Sequence, residues 1–110
     1  MKTDSFSKYH NAKIVTGDGQ KFDSKREFRR WNELIMLERA GEICKLKRQV
    51  TFPIEMSGVK ICRYIADFTY EEKGRLIVED VKSPFTARNP VYRLKKKLMF
   101  AVHGITIKES

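Results

Sequence analysis

Cysteine and histidine are scarce in this chain, and their scarcity removes several chemistries at once. The cysteines are Cys44 and Cys62, far apart and without C-x-x-C spacing, and the histidines are His10 and His103 alone. A structural zinc site needs four such ligands, and a disulfide framework needs several paired cysteines. Neither is indicated, so reduced thiols and a cytoplasmic location are expected. Long apolar runs are missing too. None approaches the roughly 20 residues of a membrane-spanning helix, and the polar start Met1-Lys2-Thr3-Asp4-Ser5 has no signal-peptide apolar segment. A soluble protein with no membrane partner is the expectation. Acidic residues are the third deficit: 14 Asp and Glu stand against 23 Lys and Arg, for a formal net charge of +9. Such an excess favours a polyanionic partner, because each cation set beside a phosphate releases condensed counterions. Nucleic acid fits ahead of an anionic membrane surface.

What is present fits one domain over 1–110, since 110 residues at 41% hydrophobic content suffice for one modest core. The fold class expected is α/β or α+β. Residues 1–11 are polar and read as a flexible tail. Ala12-Lys13-Ile14-Val15 and Lys21-Phe22 flank a stretch with Gly17 and Gly19, which suits a short hairpin. Asp23 or Ser24 then caps a helix running to Ala40 and closed by Gly41, with Glu27 completing a capping box if Ser24 is the cap. Phe28, Trp31, Leu34 and Ile35 form its apolar stripe, and Glu27 falls on that side. Two strands are expected over residues 43–54 and 60–70, joined by a turn at Met56-Ser57-Gly58-Val59. Arg75 to Lys82 forms a third strand. Asn89 and Pro90 open a second helix that ends at Gly104, with Val91, Leu94, Leu98, Ala101 and Val102 as its buried stripe. Ile105 to Lys108 closes the series as a short strand. Arg88, Arg93, Lys95, Lys96 and Lys97 are the candidate nucleic-acid contacts, a cationic surface on and before the second helix.

The chemistry concentrates in the hairpin from Ile65 to Lys82. If its loop is the four residues Glu71 to Gly74, Tyr70 faces Arg75 and Asp67 faces Val78. Asp67 and Asp80 are then diagonal neighbours on one face, roughly 7 to 8 Å apart at the backbone, and Lys82 shares that face. A two-residue turn keeps this parity, and a three-residue turn destroys it. Carboxylates gathered on a half-buried sheet face are costly without a cation. Asp67 and Asp80, with the Val81 carbonyl, offer hard oxygen ligands for Mg2+, with Mn2+ as a substitute. A metal so held would polarise a phosphoryl group and acidify a water. Lys82 would orient that water and offset developing charge. Glu27 would hold a metal-associated water or a second ion, in competition with its capping role. Glu79 lies on the opposite face and reads as structural, unless a bulge near Pro84 reverses the choice. Glu38 lies about 16 Å along the helix from Glu27, too far to share a metal.

The pattern Glu27, then Asp67, then Asp80-Val81-Lys82 on an αβββαβ order resembles the PD-(D/E)XK nuclease superfamily. Within it, Phe22-Asp23-Ser24-Lys25-Arg26-Glu27, Tyr64-Ile65-Ala66-Asp67-Phe68 and Val78-Glu79-Asp80-Val81-Lys82 resemble a family of small phage and prophage proteins. That family is related to Holliday-junction resolvases and to the nuclease subunit of Tn7-like transposases. The likeness runs from Phe22 to Lys108; Ala66 stands where the superfamily name has proline. It implies a restriction-endonuclease-like core, a mixed sheet flanked by helices, and Mg2+-dependent cleavage of DNA in phage recombination or DNA processing. For a phage-encoded protein the location is the host cytoplasm. The junction-resolving relatives act as homodimers. Two other readings stay open: a non-catalytic basic module that binds nucleic acid, and a transposase-type nuclease subunit that needs a partner protein.

Overall fold

A computed structural model describes residues 13–110; the tail expected over residues 1–11 lies outside this range. A small antiparallel pair, β1 (Ile14–Val15) and β2 (Lys21–Phe22), precedes the helix α1 (Lys25–Arg39). Three strands follow, β3 (Cys44–Met56), β4 (Val59–Glu72) and β5 (Arg75–Asp80), then a 3₁₀ turn at Thr86–Arg88, helix α2 (Pro90–His103) and strand β6 (Lys108–Glu109). The main sheet has four strands in the order β3-β4-β5-β6. The pairs β3–β4 and β4–β5 are antiparallel, and β5–β6 is parallel. The class is α+β, and among the described residues a mixed sheet is joined by two helices in the order αβββαβ.

The local signals act where the sequence puts them. Ser24 caps α1 by accepting from the Glu27 N–H at 3.0 Å. Asn89 Oδ1 accepts from the Val91 and Tyr92 N–H groups, Pro90 fills the first turn, and Gly104 closes α2 at φ 69°. Both long hairpins turn on two residues with positive φ, Ser57-Gly58 and Lys73-Gly74. That is the type I′ geometry whose twist matches the strands it joins.

The second turn corrects the expected four-residue loop. Glu72 pairs with Arg75 and Phe68 with Glu79, so the next step along the strands sets Asp67 across from Asp80, not Val78. The slip is an even number of residues, so the paired side chains from Phe68 to Glu72 and Arg75 to Glu79 keep their faces.

Two apolar clusters share the sheet. Leu34, Ile43, Phe68 and Tyr70 pack with Trp31 and Leu37 beneath α1. Ile54, Tyr64, Ala66, Val78, Tyr92, Met99 and Ile107 form the other beneath α2. Ala66 and Phe68 are two apart on one strand yet belong to different clusters. Between them lies Asp67, and across β3 from it Gln49 takes φ 52° in a gap between the pairs Arg48↔Phe68 and Val50↔Ala66. Asp67 therefore sits where the hairpin passes from one helix to the other.

The buried face of α2 also differs from expectation. Tyr92 and Met99 are buried, with Leu98 and Val102 half-buried, while Val91 and Leu94 stand 61% and 58% exposed. Apolar residues occur nearly all round this helix, so periodicity alone does not choose among its faces.

Candidate functional site

Glu27 enters from the first turn of α1 and is 3% exposed. Its Oε1 accepts from the Asp23 N–H at 3.1 Å, one residue before the cap, so the capping box closes in modified form. Its Oε2 faces the sheet, accepting from Gln49 Nε2 at 3.3 Å and lying 3.8 Å from Arg48 Nη2. One carboxylate thus serves the helix end and the sheet together, one oxygen each. Burial pushes the Glu27 carboxyl up to about 7; the Asp67 charge adds to this, while the Asp23 amide and Arg48 oppose it.

Asp67 and Asp80 form a reciprocal clasp. The β4–β5 ladder ends at Phe68 and Glu79, and side chains take over the bonding from there. Asp80 Oδ1 accepts from the Asp67 N–H at 2.9 Å, and Asp67 Oδ2 accepts from the Val81 N–H at 2.9 Å. Among the described residues, no hydrogen-bond donor reaches the second oxygen of Asp80. Burial pushes the Asp80 carboxyl up to about 6, against the Asp67 amide and Lys82, which favour ionisation. Burial also raises Asp67, opposed by the Val81 amide, Lys82 and Gln49. Asp80 is 2% exposed and Asp67 half-buried, so two carboxylates with raised pKa sit on adjacent strands, with Glu27 close enough to feel one of them.

Lys82 follows on the same face as Asp80. Its backbone N–H donates to the Ser110 carbonyl at 3.0 Å, and the Ser110 N–H donates to the Asp80 carbonyl at 2.9 Å, which fixes the end of β5 against the segment after β6. Its Nζ lies 4.4 Å from the centroid of the Tyr92 ring, within cation–π range. Tyr92 is itself held by a hydrogen bond to Glu109 Oε2 at 2.6 Å.

Glu79 lies on the far face, under α1. Arg30 grips it with Nε at 2.5 Å and Nη2 at 3.1 Å, and the Tyr70 hydroxyl donates at 2.6 Å. Burial opposes its ionisation, but these donors outweigh burial and hold the carboxyl below its ordinary value. A fully buried carboxylate so paired is a structural ion, and no bulge turns it toward Asp67. Glu38 is likewise occupied, accepting from the Leu46 N–H at 3.0 Å.

The cationic run on α2 is divided. Lys95 lines one cavity with Asp80 and Lys82, and Arg88 lines a second with Lys82. Arg93, Lys96 and Lys97 border a separate cavity with Glu109, to which Lys96 is paired at 2.9 Å. Lys95 and Arg88 thus border cavities shared with Lys82, and Arg93, Lys96 and Lys97 border another.

Three neighbours of the site went unforeseen. Arg48 stacks 3.8 Å over the Phe22 ring and brings Nη2 to 3.8 Å from Glu27 Oε2. It had a signal, a cation within the apolar alternation Leu46, Val50, Phe52. Tyr92 sits in the first turn of α2, and its ring carries Lys82. Gln49 had no signal, because its role comes from a positive φ that glutamine rarely adopts.

The chain belongs to the DUF1064 family. The family model, described as "Protein of unknown function (DUF1064)", matches residues 6–109. No curated protein and no solved structure matches the chain. The match spans Glu27, the Asp67–Asp80 clasp and Lys82, so the site lies within the part of this DUF1064 protein that its family shares.

The donors suit a hard divalent ion. Asp67, Asp80 and Glu27 offer carboxylate oxygens, and magnesium characteristically takes one or two carboxylates and keeps several waters. Among the described residues, no three His, Cys, Asp or Glu are gathered closely enough to hold a metal between them. Two carboxylates, Asp67 and Asp80, are the set the geometry brings together. Among the described residues, no helix is long and apolar enough to cross a membrane.

Proposed function

We propose that this protein is a metal-dependent DNA endonuclease of the PD-(D/E)XK kind, hydrolysing phosphodiester bonds in branched DNA. The observation that carries the reading is the clasp: two half-buried to buried carboxylates placed directly opposite each other, with Lys82 on the same face. Burial raises both carboxyls, so the cluster holds its charge at a cost that a cation relieves.

Asp67 and Asp80 would hold Mg2+, with the Val81 carbonyl as a third oxygen and Mn2+ as a substitute. A divalent ion there supplies positive charge to a phosphate oxygen and acidity to an attacking water. Lys82, steadied by the Tyr92 ring, orients the water and offsets negative charge gathering on the phosphorus oxygens. Glu27 presents Oε2 toward the sheet and orders water on that side. Lys95 and Arg88 flank the cluster as phosphate contacts. Resolving a four-way junction takes two symmetric nicks, which is the argument for a homodimer.

A second reading has an observation in its favour. The excess of 23 Lys and Arg over 14 Asp and Glu by itself fits a non-catalytic basic module that binds nucleic acid. A panel of four-way junction, flap, nicked and linear DNA with magnesium, manganese or chelator separates the two. The nuclease gives metal-dependent products, strongest on branched DNA and lost in Asp67→Ala and Asp80→Ala. Binding without products at every metal concentration overturns the proposal.

A further inference from the structure

Phe85 is the most exposed large apolar side chain among the described residues, at 77%. It stands three positions after Lys82 on a turn that is tied down at several points. The Ser83 N–H donates to Thr86 Oγ1 at 2.8 Å and the Thr86 N–H to Ser83 Oγ at 3.1 Å. The Ala87 N–H reaches the Ser83 carbonyl at 2.9 Å, and Arg88 Nε reaches the Pro84 carbonyl at 3.1 Å. The ring is therefore displayed on an ordered support. It borders a cavity of about 670 Å³ shared with Lys82, Arg88, Asn89 and Tyr92. That lining has two cations and no acid. Asn89 spends its Oδ1 on the Val91 and Tyr92 amides, which leaves its side-chain N–H groups as donors.

An exposed aromatic face, two cations and an amide donor around one cavity match a nucleotide: ring on ring, cations on the flanking phosphates, amide on the base edge. The bases of a duplex are already stacked and cannot enter. We propose that this cavity binds an unpaired nucleobase beside the phosphate held at Lys82, with Phe85 as its stacking platform. The proposal rests on the DNA reading above and names the feature that distinguishes the substrate, a base freed by a branch point, flap or single-stranded stretch. Phe85 is a specificity-determining residue on this account and takes no part in the hydrolysis.

The test uses Phe85→Trp and Phe85→Ala in the whole protein, with a short oligothymidylate and a blunt duplex as probes. Binding is followed by anisotropy in chelator and again in calcium. Because Phe85 is exposed, both variants should keep the parent's thermal unfolding curve. Oligothymidylate should quench the new tryptophan and shield it from iodide, while Trp31, stacked on Phe68 with centroids 5.8 Å apart, supplies a constant background. Phe85→Ala should lose roughly 5- to 150-fold in affinity for the single strand, Phe85→Trp should retain it, and duplex affinity should stay unchanged. Tight single-strand binding that is indifferent to Phe85→Ala and leaves the tryptophan unquenched overturns this inference while the DNA reading stands. Failure of both probes to bind overturns the two together.

Discussion

Replacing Asp80 with asparagine removes a charge from the clasp while leaving a side-chain oxygen to accept the Asp67 amide hydrogen. The carboxyl is raised from 3.8 to about 6 and is 2% exposed. A shift of that size corresponds to about 3 kcal/mol between the protonated and ionised forms. The sign follows from the direction of the shift. A carboxyl raised by folding contributes no penalty below its unfolded pKa, and stability is lost as pH climbs through the folded value. Burial raises Asp67 as well, and the shift at Asp80 is already net of the attraction to Lys82 that asparagine forfeits. The expected result is that Asp80→Asn melts higher than the parent at about pH 8 in chelator, by about 1–3 kcal/mol, and equals it near about pH 4. For a domain of this size each kcal/mol moves the midpoint by about 4–8 °C, well within reach of thermal denaturation followed by circular dichroism. Magnesium should raise the parent's midpoint at about pH 8 and leave the variant's unmoved, and the stabilised variant should be inactive on branched DNA. A variant destabilised equally at both pH values would refute the reasoning, because it would make Asp80 a structural anchor whose charge the fold requires.

The other predictions separate roles that the site places side by side. Lys82→Ala should lower cleavage by about 10²- to 10³-fold while leaving DNA affinity in chelator within a few-fold, measured by single-turnover kinetics and anisotropy. Glu79→Ala should destabilise by about 1–3 kcal/mol, because it leaves the buried Tyr70 hydroxyl without its acceptor and takes the bidentate partner from Arg30, and the denaturation midpoint reports it; an unaltered midpoint would remove the structural assignment. Lys95→Ala should reduce the slope of log affinity against log salt by about 0.9, whereas Lys96→Ala should change it less, because Lys96 is already paired with Glu109.

Much of the frame was legible because short-range chemistry fixes it. Ser24, Asn89, Pro90 and Gly104 each satisfy or omit a backbone group at a helix end, and that requirement does not depend on the rest of the fold. The parity of Asp67, Asp80 and Lys82 was legible for a similar reason, since strand alternation holds for any even turn. The register was not. Lys73-Gly74 closes the hairpin only because Lys73 accepts φ 53°, a conformation whose cost for lysine local pattern does not reveal. The face of α2 was not legible either, because Tyr92 competes with Val91 and Leu94 for burial and wins by packing on the sheet, a tertiary effect.

The illegible features are also the ones that make the site. With the longer loop, Asp67 and Asp80 would be diagonal neighbours, and neither carboxylate would reach the opposite strand's amide as it does here. The two-residue turn sets them opposite, ends the ladder at Phe68 and Glu79, and leaves each carboxylate holding an amide with one oxygen. Glu27 repeats the arrangement from α1, one oxygen on the Asp23 amide and the other toward the sheet. A side chain anchored through one oxygen has lost most of its rotamer freedom before any ligand arrives, so ordering it on binding costs little more. On the proposed reading, a capping role and a functional role for Glu27 would therefore not compete. The cap is what points the second oxygen at the sheet, and Glu27→Gln, which keeps both acceptor and shape, should leave the helix intact while removing the charge.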